Sequence, residues 1–232
     1  MRTDLNKTVE EKYEAFSLVE MLLTIAIIGM VMLISSVTLT TLIKVSTVAS
    51  NKIRARNESE FVLELVRRTV RNSDPSDVLI FSTQEARKFN IENMSVVDTG
   101  LEDIENVYQA IGETEIGNEI HFRPYGYKDW ICLGFFESSQ DSQKGYILRT
   151  SAENLSGQHE SCFGSTPYII VLNSDYVDTN SFNISYTISN DGNYLIRFDI
   201  ESEPVDWYLG SGAPIKRTVF RQGIVSTEGL IW

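Results

Sequence analysis

Histidine and cysteine are almost missing from this chain. Its 232 residues hold two histidines, His121 and His159, and two cysteines, Cys132 and Cys162. No His/Cys spacing matches a zinc site. His159 lies three residues before Cys162, but nothing else completes the set that a nucleophilic cysteine needs. Basic residues are also scarce: 20 Lys and Arg stand against 32 Asp and Glu, a net charge of −12. That balance argues against a dedicated nucleic-acid binder, which needs basic surface to replace phosphate counterions. No Gly-rich phosphate loop, paired-carboxylate motif or Ser-His-Asp order appears. Internal repeats and low-complexity tracts are missing too. Long apolar runs number one, which excludes a polytopic transporter and fits a plain cytosolic enzyme poorly.

That single run is what the chain does have. From Met21 to Ile43 it reads MLLTIAIIGMVMLISSVTLTTLI, with no charged residue. A helix of this length rises roughly 35 Å, enough to cross a bilayer's apolar core with some tilt. The mean hydropathy of −0.12 averages this span with a polar remainder.

A secretory signal peptide does not fit. Its apolar stretch is shorter, about 7–15 residues, and a small-residue cleavage site follows it. Here the nearest such site, Val48-Ala49-Ser50, lies beyond Lys44, and the preceding segment MRTDLNKTVEEKYEA carries more acids than bases. Glu20, at the lip of the run, is the second oddity. A carboxylate carried into a membrane unpaired costs on the order of a few kcal/mol, so it either stays at the headgroups or meets a cation.

The stretch Ala15-Phe16-Ser17-Leu18-Val19-Glu20-Met21-Leu22, followed by Thr24-Ile25-Ala26-Ile27-Ile28-Gly29, resembles the cleavage and methylation signature of type IV prepilins and pseudopilins. The resemblance implies that a prepilin peptidase cuts between Ala15 and Phe16, on the cytoplasmic side of the span. The new Phe16 amine is then N-methylated. Glu20 becomes the fifth mature residue and pairs with the Phe16 amine of a neighbouring subunit as helices stack into a filament. Cutting before the helix keeps the span in the product, and an out-of-register subunit leaves both charges unpaired. The motif covers about 15 residues.

Two departures stand out. Ala15 occupies a site where the family usually has Gly. Many family helices carry a proline about two turns after the Gly, whereas Leu33 to Thr40 has none, and Ser35-Ser36 is the nearest loosening element. Three basic residues precede the span while Lys44, Lys52, Arg54 and Arg56 follow it, so orientation rests on the motif and not on charge.

Beyond the span the pattern stays helical. Phe61, Leu65 and Val62, Val66, Val70 recur at helical spacing, with Glu64 and Arg68 as an i,i+4 pair. Asn72-Ser73-Asp74-Pro75 predicts the stop. The rest reads as strands: Val78–Phe81, Glu119–Arg123, Trp130–Phe136, Tyr146–Thr150, Tyr168–Leu172, Phe182–Asn190, Asn193–Glu201 and Thr218–Ser226. A short helix is expected through Leu101, Ile104, Val107 or Tyr108, and Ile111. Asp191-Gly192 predicts a tight type I′ hairpin joining Ile184–Asn190 to Asn193–Asp199.

The expected fold is therefore α+β, a long N-terminal helix packed on a C-terminal antiparallel β-sheet head, which is also the pilin architecture. Residues 1–15 read as a leader, 16–43 as the membrane and filament-core helix, 44–74 as its amphipathic continuation and 75–232 as the head. The head's size resembles that of minor pseudopilins. Implied partners are the prepilin peptidase, other pilin or pseudopilin subunits and the inner-membrane assembly platform, in a pilus, type II secretion or competence system. The implied location is the inner membrane, head outside the cytoplasm, before assembly, and a surface or periplasmic filament afterwards. Neither enzymatic activity nor a cofactor is implied. The alternative is a single-pass anchored binding protein that is never cleaved.

Two features of the head stay open at this level. An exported head would make Cys132 and Cys162 a disulfide closing roughly 30 residues, worth about 3–4 kcal/mol on the loop-entropy account, whereas in a cytosolic protein they would be two core thiols. The loop Asn173 to Asn180 is rich in oxygen ligands but lacks EF-hand spacing, and Arg67-Arg68-Arg71 reads as a solvated helix face.

Overall fold

A computed structural model describes residues 17–99, 116–141, 144–153, 160–163, 168–188, 190, 194–205 and 218–227. They build α1 (Leu18–Arg71), β1 (Ser73–Phe81), β2 (Arg87–Asn90), β3 (Ser95–Asp98), β4 (Glu119–Pro124), β5 (Asp129–Glu137), β6 (Gly145–Glu153), α2 (Glu160–Phe163), β7 (Ile170–Val171), β8 (Val177–Ile188), β9 (Tyr194–Pro204) and β10 (Val219–Ser226). The class is α+β, a pilin-like combination of one long N-terminal helix with antiparallel sheets. The chain divides into two compact units, Met1–Val48 and Ala49–Trp232. The expected short helix near residues 101–111 lies outside the described residues.

In the first unit no residue from Ser17 to Ser46 is buried, although most are large and apolar. Such a helix is stable only where its surroundings are as apolar as its side chains. Five of its threonines already satisfy their hydroxyls within the helix. Thr38, Thr40, Thr41 and Thr47 each donate a hydroxyl to the carbonyl four residues back, at 2.8–3.0 Å, and Thr24 donates to Met21 O at 2.9 Å. No hydroxyl among these five needs water.

In the second unit α1 becomes one-sided. Ala55, Ser59, Val62, Leu63, Val66 and Val70 are buried at steps of one helical turn. Phe61, expected in that stripe, instead points outward and is 58% exposed, because Leu63 occupies the inward position and Phe61 lies across the helix from it. Glu64 meets Arg67 at 3.9 Å, one residue earlier than the expected Arg68. The helix ends at Arg71, where Ser73 Oγ donates to Thr69 O at 3.1 Å, and the chain enters β1 at once. Pro75 thus sits inside a strand, a correction to its reading as a plain stop. β1 is an edge strand, and its pairing with β4 shifts between Ser73 and Val78, so the missing proline amide costs no ladder bond.

The larger sheet has the order β1-β4-β5-β6-β7, all antiparallel, and the smaller has the order β10-β9-β8. A reciprocal pair of backbone hydrogen bonds, Gly117 with Ile184 at 2.8 Å each way, stitches the two together. The main core lies between α1 and both sheets: Val62, Leu63 and Val66 meet Ile120, Phe122, Leu133, Phe135 and Ile147 from one sheet and Phe182, Ile184, Phe198 and Ile200 from the other. A second core covers the far face of the larger sheet, where Phe89, Trp130, Cys132, Phe136, Tyr146, Leu148, Cys162 and Phe163 pack together. Burial on both faces explains why β5 reads Trp-Ile-Cys-Leu-Gly-Phe-Phe without alternation.

Two sheet details depart from expectation. β2 and β3 form a hairpin absent from the sequence reading, held by Arg87 Nε donating to Asp98 Oδ1 at 3.0 Å. The β8–β9 register pairs Tyr186 with Ile196 and Ile184 with Phe198, one residue off the pairing that a two-residue Asp191-Gly192 turn requires. With that turn, Ile184 would oppose Asp199 and Tyr186 would oppose Arg197. Matching the buried faces of both strands outweighs the turn preference.

Tyr146, on β6 in the second core, supplies a pH test. Burial pushes its phenol above the ordinary value of 10.0, and the carboxylates of Asp175, Asp178 and Asp141 add to the rise. A raised value in the folded state means stability that is complete below pH 10 and is lost as pH climbs through the raised value. Tyr146→Phe is therefore expected to show a shallower alkaline fall in stability than the wild type, followed by urea midpoints from pH 8 upward. Parallel curves would contradict this origin.

Candidate functional site

The helix start carries the residues that the sequence singles out. Glu20 lies in the first turn of α1 and is exposed. Its carboxylate Oε2 accepts from the backbone amide of Ser17 at 3.2 Å, while Ser17 Oγ accepts from the amide of Glu20 at 3.3 Å. This reciprocal pair is a capping box: each side chain satisfies a backbone donor that the helix leaves without an intrahelical partner. The Ser-x-x-Glu spacing in front of an apolar run is its sequence signal, and the sequence reading missed it. One carboxylate oxygen of Glu20 is engaged locally, and the charge also faces the positive end of the helix dipole. Ala15 and Phe16 lie outside the described residues.

The head brings Cys132 and Cys162 together. Cys132 on β5 and Cys162 on α2 are both fully buried, with Cα atoms 6.2 Å apart, inside the span a disulfide bridges. His121 sits directly opposite Cys132 in the β4–β5 register and is also fully buried. Beside it runs a polar network: His121 Nε2 lies 2.7 Å from Glu119 Oε1, Thr83 Oγ1 donates to Glu119 Oε2 at 2.8 Å, and Thr83 N donates to Asn118 Oδ1 at 2.6 Å. Glu119 and His121 are two apart on one strand, so both project to the same face. His159 lies outside the described residues.

The other candidates separate. In the loop Asn173 to Asn180, Asn173 Oδ1 accepts from Ile147 N at 2.8 Å, and its amide nitrogen donates to Gly145 O and Val177 O. Ser174 Oγ donates to Glu58 Oε1 at 2.6 Å. These groups tie the loop to β6 and α1. Arg67 stands beside Glu64 and over Gly223 of β10, part of an ion-paired helix face.

Among the described residues one helix, the apolar N-terminal one, is long enough to cross a membrane, and with the antiparallel β head it defines a pilin-like α+β protein. Residues 12–36 match the family model described as the prokaryotic N-terminal methylation motif, the type IV prepilin signature. The motif and the pilin-like fold suggest a structural subunit rather than an enzyme. The match spans the predicted cleavage point, the Ser17–Glu20 cap and about the first two thirds of the apolar run. Neither the curated proteins nor the solved structures yield a match to the chain.

Proposed function

We propose that the chain is the precursor of a minor pilin or pseudopilin, working in a type IV pilus or in a type II secretion or competence pseudopilus. The observation that carries this reading is the methylation motif at residues 12–36, set directly on an apolar helix with no cover of its own. Prepilin peptidase removes residues 1–15 between Ala15 and Phe16, and Phe16 is N-methylated. Residues 16–43 anchor the subunit in the inner membrane and then enter the filament core. Residues 44–74 carry the helix into the head, and 75–232 form the head, facing outside the cytoplasm. The work is mechanical, with no catalysis.

Glu20 then has two tasks. One oxygen caps its own helix, and the carboxylate pairs with the Phe16 amine of the adjacent subunit. In the exported head, Cys132 and Cys162 close a disulfide that pins α2 to β5, a pairing supported by their 6.2 Å Cα separation.

N-terminal sequencing and intact mass of the cell-associated protein test the assignment. The expected product begins at Phe16 and carries one added methyl group. A protein that still begins at Met1 would overturn it in favour of an uncleaved single-pass anchored protein.

A further inference from the structure

The cysteine pair has a third potential ligand beside it, and this bears on a state of the head that the filament reading leaves untouched. A ring nitrogen of His121 and the sulfurs of Cys132 and Cys162 all lie within 4.8 Å of one another. The three come from β4, β5 and α2, and each is fully buried. No linear spacing announces the set, because residues 11 and 30 positions apart are joined only by the β4–β5 register and by the docking of α2.

We propose that, while its two cysteines are reduced, the head binds one thiophilic cation through His121, Cys132 and Cys162, with zinc as the representative ion. The chemistry of the donors supports this. Two thiolates and an imidazole are a soft-to-borderline set that selects zinc-like ions over calcium or magnesium. A doubly charged cation with two thiolates is neutral, which suits an interior where net charge is costly. The surroundings are those of a metal-bound histidine. Glu119 Oε1 lies 2.7 Å from His121 Nε2, and as a carboxylate it would accept that nitrogen's N–H. Glu119 is in turn fixed by Thr83. A carboxylate that orients the imidazole in this way is the usual outer-shell partner of a ligating histidine.

The cation and the disulfide are alternative ways to hold the same element. α2 has four residues, too few to sustain itself, and both Cys162 and Phe163 are buried against β5 and its neighbours. Either cross-link keeps them there. Conversion runs by thiol–disulfide exchange: each coordinated sulfur gives up one electron, the Cys132–Cys162 bond forms and the zinc ion leaves. The two electrons reduce one molecule of an external disulfide to two thiolates. The reduced, metal-bound head is thereby shielded from oxidation until the ion departs.

Full-length protein in detergent micelles, reduced with a phosphine and desalted without oxygen, is titrated with zinc chloride against a chromophoric chelator. The expected result is one equivalent bound by the reduced protein and none by the oxidised protein. His121→Gln is expected to weaken binding at least tenfold, and Glu119→Gln about 10- to 100-fold. X-ray absorption of the zinc-loaded wild type is expected to show two sulfurs and a nitrogen, a readout independent of whether any variant folds. Zinc is also expected to slow disulfide closure by oxidised glutathione at least tenfold. A reduced protein that takes up no zinc would overturn the proposal. So would zinc held equally well after oxidation, or a coordination shell without sulfur.

Discussion

Gly145→Val is expected to destabilise the head by about 3 kcal/mol or more, a shift of over 100-fold in the folded-to-unfolded ratio. Gly145 begins β6 where that strand passes beneath β8. A Cβ placed there would run into the backbone carbonyl oxygen of Thr179 and the ring of Phe135. Neither gives way easily: the carbonyl belongs to β8 near its bulge, and Phe135 is locked in the main core. Gly145 O also accepts from Asn173 Nδ2 at 3.0 Å, so a backbone shift would loosen the loop that Asn173 ties down. Urea unfolding of the solubilised chain, followed by near-UV circular dichroism from Trp130 and its neighbours, reads the effect. Gly29→Ala is the contrast, because nothing lies within 4 Å of a Cβ at Gly29. There the helix gains up to about 1 kcal/mol in local propensity and the head is expected to unfold as in the wild type. Equal midpoints for Gly145→Val and wild type would refute the packing of β6 against β8.

Glu20→Ala is expected to lower incorporation into filaments at least 100-fold relative to wild type made in the same cells. An unpaired Phe16 amine in an apolar helix bundle costs on the order of 3 kcal/mol, and every subunit meets that cost. The capping box makes the experiment sharper, because Glu20 has a local task as well. Glu20→Gln keeps an oxygen for the Ser17 amide and loses the charge. Ser17→Ala keeps the charge and loses half of the cap, a change worth about 1 kcal/mol. If intersubunit charge pairing is the function, Glu20→Gln fails like Glu20→Ala while Ser17→Ala assembles. The opposite pattern would leave Glu20 as a helix cap alone. Immunoblots of sheared filaments against the membrane fraction measure all three.

Much of the fold is legible in the sequence because the strongest signals are long. Twenty-three uncharged residues admit one reading, and the later valines at helical spacing carry the same helix onward. β4, β5, β6 and β10 were found within a few residues, since each carries a dense run of apolar or β-branched side chains. β2 and β3 escaped because four-residue strands containing Arg87, Lys88 and Asp98 look like loop. Their pairing depends on an ion pair between residues 11 apart and on Phe89 filling the second core. The early start of β8 at Val177 escaped for a similar reason, as Asp178 to Ser181 is polar and bulged.

The candidate sites divide along the same line. Glu20 and the residues around it are neighbours in the chain, and their resemblance to the prepilin signature is what singles them out. Whether Ser17 and Glu20 close a cap also follows from that local spacing.

What the sequence by itself determined, then, is what long or tightly spaced local signals carry: the apolar helix, its motif and the α+β class. Tertiary structure alone decided that Phe61 faces outward, that β8 and β9 pair one residue away from their turn's preference, and that His121 meets Cys132 and Cys162. Each of those depends on which faces of distant segments are buried together. Burial is a property of the assembled core, and its energy outweighs any single turn or helical position.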